Sequence, residues 1–106
     1  MDCSTLIEQI KNKYIKMVKV AENPDFDINP SKEYLEATSN FLGWFEELIF
    51  NATVEKGDSV VSAKTCIIDY ISGENAQEEC PEIFEALSLF SDKRIYEIFG
   101  VKIFSD

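Results

Sequence analysis

The chain has 106 residues and a mass of 12.1 kDa, a length that fits one domain, and its 45% apolar content is enough for one core. Twenty acidic residues against ten basic ones give a formal charge of −10, which repels nucleic acid and anionic membrane and makes a basic protein the natural partner. No apolar run approaches the roughly 20 residues of a membrane span, so neither direct DNA or RNA binding nor membrane insertion is expected.

The first predicted helix covers residues 5–21. Thr5 and Glu8 have the spacing of a capping box, and Leu6, Ile7, Ile10, Tyr14, Met17, Val18 and Ala21 recur with helical period on one face. The outer face is basic, with Lys11, Lys13, Lys16 and Lys19. Residues 1–21 therefore hold four bases against two acids, a balance of +2, while the remainder holds six against eighteen and carries −12. These lysines read as a solvated face attracted to the acidic remainder. Residues 22–29, E-N-P-D-F-D-I-N, form a connection broken at Pro24 and Asn29 and anchored by Phe26 and Ile28.

A long central helix is predicted over residues 30–54, with Asn29 as its cap and Pro30 at its first position. Half of its circumference is apolar: Tyr34, Leu35, Ala37, Thr38, Phe41, Leu42, Trp44, Phe45, Leu48, Ile49 and Ala52. The other half holds Glu33, Glu36, Ser39, Asn40, Gly43, Glu46, Glu47 and Asn51. A surface helix usually has an apolar stripe of little more than about 100°, so this one is expected in the middle of a bundle. Gly57 and Asp58 then turn the chain.

The third helix is expected over residues 60–72, capped by Ser59 or Asp58 and closed at Gly73. Its inner side holds Val60, Ala63, Cys66, Ile67, Tyr70 and Ile71. The β-branched content makes a strand the competing reading; the helical period and Gly73 favour the helix. Asn75 and Glu78 have the spacing of a capped first turn within residues 74–80. Pro81 opens a fourth helix with Ile83, Phe84, Ala86, Leu87 and Phe90 inward, and Ser91 or Asp92 starts a fifth over residues 93–99, stopped by Gly100. Residues 101–104 are expected as an extended tail. The fold class is thus all-α, a single-domain bundle of four to five helices around the long central one, without internal repeat or interdomain linker.

The chain lacks histidine, the commonest general base and metal ligand. Cys3, Cys66 and Cys80 are odd in number and scattered, which reads as free thiols in a reducing cytosol and offers no zinc-site spacing. Asp2, Glu8, Lys11 and Lys13 interrupt the opening residues, so no secretory leader is read and a cytoplasmic location is expected. Phosphate-binding loops, nucleophile elbows and EF-hand loops are missing. Glu46 with Glu47, and Glu78 with Glu79, are helix neighbours that point in different directions and make no catalytic dyad. No cofactor, metal or enzymatic activity is expected.

Two acidic surfaces carry the binding expectation. On the polar side of the central helix, Glu33, Glu36, Asn40, Gly43, Glu47 and Asn51 form a stripe with Phe50 beside it. Gly43 marks a close approach there, either by a docking partner or by another helix of the same protein, because glycine costs about 1 kcal/mol in a helix interior. The second surface holds Asp69, Glu74, Glu78, Glu79, Glu82 and Glu85, with no base between Lys64 and Lys93. The helix dipole explains part of that acidity, and the rest makes a patch able to pair with Lys and Arg. The candidate partner-binding residues are Glu33, Glu36, Glu47 and Phe50, then Asp69, Glu74, Glu78, Glu79 and Glu82.

Residues 67–79, I-I-D-Y-I-S-G-E-N-A-Q-E-E, resemble the helix, Ser-Gly-Glu turn and acidic helix start of colicin D-like immunity proteins. As a small acidic chain the protein is also similar to the immunity proteins of contact-dependent growth inhibition. The resemblance implies a cytosolic inhibitor that neutralises a cognate toxin, commonly a nuclease, by covering its positive cleft. Two alternatives stand beside it: a phage-type inhibitor of a nucleic-acid-handling enzyme, and a helical scaffold or accessory subunit with an apolar interface.

Overall fold

The computed structural model describes residues 1–21 and 31–100, with side chains over 1–19 and 35–100. Its elements in chain order are α1 (Cys3–Ala21), α2 (Ser31–Asn51), β1 (Thr53–Lys56), β2 (Ser59–Ser62), α3 (Ala63–Ile71), α4 (Ala76–Glu79), α5 (Pro81–Leu87) and α6 (Asp92–Phe99). The protein is mostly helical, as its periodicity predicts. The all-α expectation is corrected by one antiparallel hairpin. The connection at residues 22–29, the Asn29–Pro30 helix start and the 101–104 tail lie outside the described residues.

Helix α1 begins ahead of the predicted cap. Asp2 Oδ1 accepts the Thr5 amide at 2.8 Å, and the Asp2 carbonyl accepts the Leu6 amide at 3.1 Å, so Asp2 and not Thr5 caps the helix. The Thr5 amide also draws the Asp2 carboxyl below its ordinary range. Leu6 and Ile10 are fully buried, with Ile7 and Met17 close to it. This face packs against α2, α3, α5 and β1, whereas α2 packs against α1, α3 and β2.

The apolar half-circle of α2 is only partly used. Phe41, Phe45 and Ile49 are buried, while Leu42, Trp44 and Leu48 are half-buried and Leu35 is 60% exposed. A run of rings, Tyr14–Phe41 at 5.9 Å between centroids, Phe41–Phe45 at 5.5 Å and Phe45–Phe90 at 5.7 Å, joins α1 through α2 to the turn between α5 and α6. Gly43 is exposed, and a Cβ built there meets nothing within 4 Å.

Two predicted boundaries are corrected between residues 52 and 62. Helix α2 ends at Asn51 instead of running to residue 54, and the third helix starts at Ala63 instead of 60. The segment between them is the hairpin, paired Thr53↔Ser62, Val54↔Val61, Glu55↔Val60 and Lys56↔Ser59. Its sequence alternates: Val54 is 1% exposed and Val61 half-buried on one face, while Glu55 and Val60 point outward. Gly57, at φ +62°, takes the first position of the two-residue turn, where a II′ hairpin turn needs glycine. Gly57–Asp58 turns the chain as its residue types predict, but strands flank it because β-branched pairs on either side fit a half-buried pleated surface.

Serine hydroxyls cap two of the later helices, with Ser62 at α3 in place of the expected Ser59 or Asp58, while the expected Asn75 cap at α4 makes no side-chain hydrogen bond. Ser62 Oγ accepts the Thr65 amide at 3.2 Å to start α3, and Ser91 Oγ accepts the Arg94 amide at 3.1 Å to start α6. Pro81 opens α5 as predicted, and Gly100 ends α6 in the left-handed region at φ +72°.

The free-thiol reading holds for Cys80 alone. Cys3 and Cys66 form a disulfide with Cα atoms 5.8 Å apart, and Cys80 is a buried free thiol. Spacing along the chain hides this pair, because 63 residues separate its members and only the packing of α1 on α3 brings them together. The same end is also fastened by backbone: the Glu55 amide donates to the Met1 carbonyl at 2.9 Å, and Asp2 bridges Glu55 in parallel.

Two predictions test this account. Denatured without reductant, the chain should expose one thiol to Ellman's reagent, and three after reduction; removing the bond by Cys3→Ser with Cys66→Ser should cost roughly 4 kcal/mol from loop entropy in denaturant melts. Gly43→Ala should stabilise the helix by about 0.5–1 kcal/mol, read as a rise of roughly 4 °C in Tm, since nothing obstructs the added methyl group.

Candidate functional site

The second acidic surface is shaped by the turn between α3 and α4. Ser72 Oγ donates to the Ile68 carbonyl at 2.8 Å, the Gly73 amide to the Tyr70 carbonyl at 3.1 Å and the Glu79 amide to the Asn75 carbonyl at 2.9 Å. A Cβ at Gly73 would stand 3.3 Å from the Tyr70 carbonyl, so the tight turn suits glycine. Between the two helices lies a concavity of about 360 Å³ lined by Asp69, Tyr70, Gly73, Glu74, Asn75, Ala76 and Glu79. Three of the predicted residues, Asp69, Glu74 and Glu79, thus share one wall. Glu78 is exposed outside that lining. Glu82 is half-buried in the first turn of α5, and its Oε2 is buried without a hydrogen bond among the described residues.

Charge at the concavity is only partly compensated. Lys56 Nζ lies 3.0 Å from Asp69 Oδ2, with side chains 62% and 52% exposed. An ion pair this open contributes about 0–1 kcal/mol, so a partner's cation can displace the lysine. The Tyr70 phenol is pushed above its ordinary value of about 10, first by burial and then by its acidic neighbours: Cys80, which is charged only once it ionises in the alkaline range, and the carboxylates of Glu79 and Glu82. It remains a neutral hydrogen-bonding group at the edge of the site. Burial likewise pushes the Cys80 thiol up, which keeps it protonated and unreactive.

The first acidic surface is the open side of α2. Glu36 and Glu47 are exposed and Phe50 is 58% exposed; Glu33 lies in α2 with its side chain outside the described residues. Glu36, Gly43 and Phe50, seven residues apart, stand in one line along the helix. Beside them runs a groove of about 470 Å³ lined by Leu35, Thr38, Ser39, Leu42, Gly43, Glu46 and Phe90. Arg94 closes its α6 side, donating from Nε to Glu46 at 2.8 Å and from Nη1 to Glu97 at 3.1 Å.

Sequence reasoning missed this groove. It placed Leu35 and Leu42 in the core and left Glu46 unpaired, and no periodicity marks Arg94 as the residue that joins α6 to α2. It also expected the lysines of α1 to be drawn to acids. Among the described residues none of Lys11, Lys13, Lys16 and Lys19 forms an ion pair; Lys13 Nζ instead sits 5.2 Å from the centroid of the Trp44 ring.

Among the described residues no group of three or more His, Cys, Asp or Glu side chains is placed to hold a metal ion. The two surfaces offer carboxylates and apolar side chains for contact. No protein-family model, curated protein or solved structure matches the chain.

The raised Tyr70 value carries a pH prediction. The folded state holds this proton more tightly than the unfolded one, so the contribution is complete below about pH 10 and is lost as pH rises through the folded value. Denaturant melts across the alkaline range should show a shallower loss of stability in Tyr70→Phe than in the parent chain.

Proposed function

We propose that this protein is a stoichiometric inhibitor of a basic protein, of the immunity type, which neutralises a toxin domain, most simply a nuclease, by covering its positive cleft. One observation carries the reading: Asp69, Glu74 and Glu79 converge on a single concavity whose neighbouring cation, Lys56, is held only by an exposed pair. A surface of this kind steers a basic partner to itself and pairs with its Lys and Arg on contact. Glu78 and Glu82 flank the concavity, and Glu36, Glu47 and Phe50 supply a second contact face on α2. No catalytic role is assigned to the chain.

The scaffold reading rests on the groove beside Gly43, whose lining is largely apolar. The two readings separate by salt, because charge-led association weakens as ionic strength rises and apolar association does not. As for location, no helix among the described residues is long and apolar enough to cross a membrane. The cytoplasmic expectation rested in part on free thiols and loses that part with the Cys3–Cys66 bond, since disulfides persist in oxidising surroundings and are rare in the cytosol. The inhibitor reading is independent of the compartment.

Co-expression with a toxin-type reading frame adjoining the gene tests the proposal. The parent chain should restore growth and co-purify in equal proportion with the toxin, in a complex weakened by salt. Charge reversal at Glu74, Glu78 and Glu79 to lysine should abolish rescue. Truncating a central carboxylate should cost about 2–5 kcal/mol of binding and a rim one less than about 1 kcal/mol, read by calorimetry. Unchanged affinity after alanine replacement of Asp69, Glu74, Glu78, Glu79 and Glu82 would remove this surface from the interface.

A further inference from the structure

Gly43 stands in the interior of α2, where glycine weakens a helix, yet nothing in the described fold makes use of its missing side chain. A Cβ there meets no atom within 4 Å. A mid-helix glycine usually has its reason in a close approach, and among the described residues nothing approaches. The groove beside it is floored by Leu35, Leu42 and Phe90, and Leu35 is 60% exposed. Leu35 and Leu42 lie seven residues apart, two helical turns or about 10 Å, which matches anchors at i and i+7 on a helix running alongside.

Charge selects the kind of helix. Glu36 and Glu47 are exposed on α2, one turn or two from Gly43, with Glu47 lining a neighbouring hollow beside Trp44 and Asn51, and Glu46 lines the groove wall. The cation bordering the groove, Arg94, is already committed to Glu46 and Glu97. With a chain charge of −10, a second copy of the protein is repelled and a basic segment is attracted.

We propose that the groove receives an amphipathic basic helix of the partner. Its apolar side rests on Leu35, Leu42 and Phe90, its backbone passes closest at Gly43, and its lysines or arginines pair with Glu36 and Glu47. Phe50, 58% exposed farther along the same face, extends the apolar contact. That this helix belongs to a toxin rests on the inhibitor reading; the groove's preference for a basic, apolar-faced helix does not.

The test uses the full chain and a labelled synthetic amphipathic helix of leucine and lysine, with binding followed by fluorescence anisotropy. A scrambled peptide of the same composition serves as control. Gly43→Gln fills the approach with a better helix former, so its Tm should not fall, while affinity for the peptide should drop at least about tenfold, the equivalent of about 1.4 kcal/mol. Glu36→Gln with Glu47→Gln should weaken binding and flatten its salt dependence. Equal binding of the scrambled peptide, or an affinity untouched by Gly43→Gln, would overturn the proposal in favour of diffuse charge attraction. Loss of binding on replacing Glu74, Glu78 and Glu79 instead would move the site to the α3–α4 concavity. A dimer in sedimentation that Gly43→Gln dissolves, without peptide binding, would assign the groove to a second copy and overturn it as well. Failure of the parent chain to neutralise the adjoining toxin defeats the inhibitor reading alone; neutralisation undiminished by Gly43→Gln defeats the groove's part in it.

Discussion

The fold depends on one shared surface, the apolar face of α1. Leu6, Ile7, Ile10 and Met17 are each at least 95% buried, and α2, α3, α5 and β1 all close on that helix. Each such side chain contributes about 1.5–3 kcal/mol on leaving water, and none could do so against a single neighbour, because one helix covers only part of another's circumference. The Cys3–Cys66 bond and the pairing of Met1 and Asp2 with Glu55 fasten the same helix at its start. A short chain with a limited core gains most from a cross-link that closes a long loop, and this bond spans 63 residues. With α1 serving as the common support, α2 is released from the middle and keeps an open side.

That difference marks how far local pattern reaches. Helical period identified α1, α2, α5 and α6, and side-chain chemistry placed their breaks at Pro81, Ser91 and Gly100, because caps and periods are properties of a few adjacent residues. The width of an apolar stripe was a poorer guide. Eleven residues shared the half-circle of α2, yet Leu35 faces outward and Trp44 is only half-buried, with the Lys13 ammonium of α1 over its ring in place of an apolar side chain. The hairpin escaped for a related reason: Val54, Val60 and Val61 satisfy a helical period nearly as well as a strand's, and over four-residue strands the two patterns scarcely separate. The identity of the Asp2 cap turned on the helix starting ahead of Thr5, where Asp2 Oδ1 accepts the Thr5 amide, and the disulfide on a tertiary contact. Neither is written in spacing.

The candidate site was legible in the same uneven way. Acidity is a property of composition, and Glu36, Glu47, Glu74, Glu78 and Glu79 stand exposed where their polar surroundings placed them. Convergence is a property of the backbone. Asp69 belongs to α3 and Glu79 to α4, and it is the turn held by Ser72, Gly73 and Asn75 that folds them around one hollow. Glu82, from the same run of acids, is drawn partly inward by its place in the first turn of α5, so adjacency in sequence did not carry a shared role.

The two acidic surfaces are physically unlike, and the difference bears on how a basic partner would be held. The α3–α4 concavity carries three solvent-exposed carboxylates, Asp69, Glu74 and Glu79, so its attraction acts at a distance and is screened by salt; such a surface raises the rate of encounter more than the lifetime of the complex. The groove beside Gly43 sets one carboxylate, Glu46 paired with Arg94, beside Leu35, Leu42 and Phe90. Contact there excludes water, and charge pairs formed at its edge work in a lower dielectric alongside apolar burial. Residence is governed by surfaces of the second kind, because most differences in affinity between related complexes lie in the off-rate. Under the inhibitor reading the concavity would then set how fast the partner arrives, and the α2 groove how long it stays. The open side of α2 follows from its packing: α1, α3 and β2 cover the Phe41, Phe45 and Ile49 face, so α2 contributes to the core and still presents the groove to solvent.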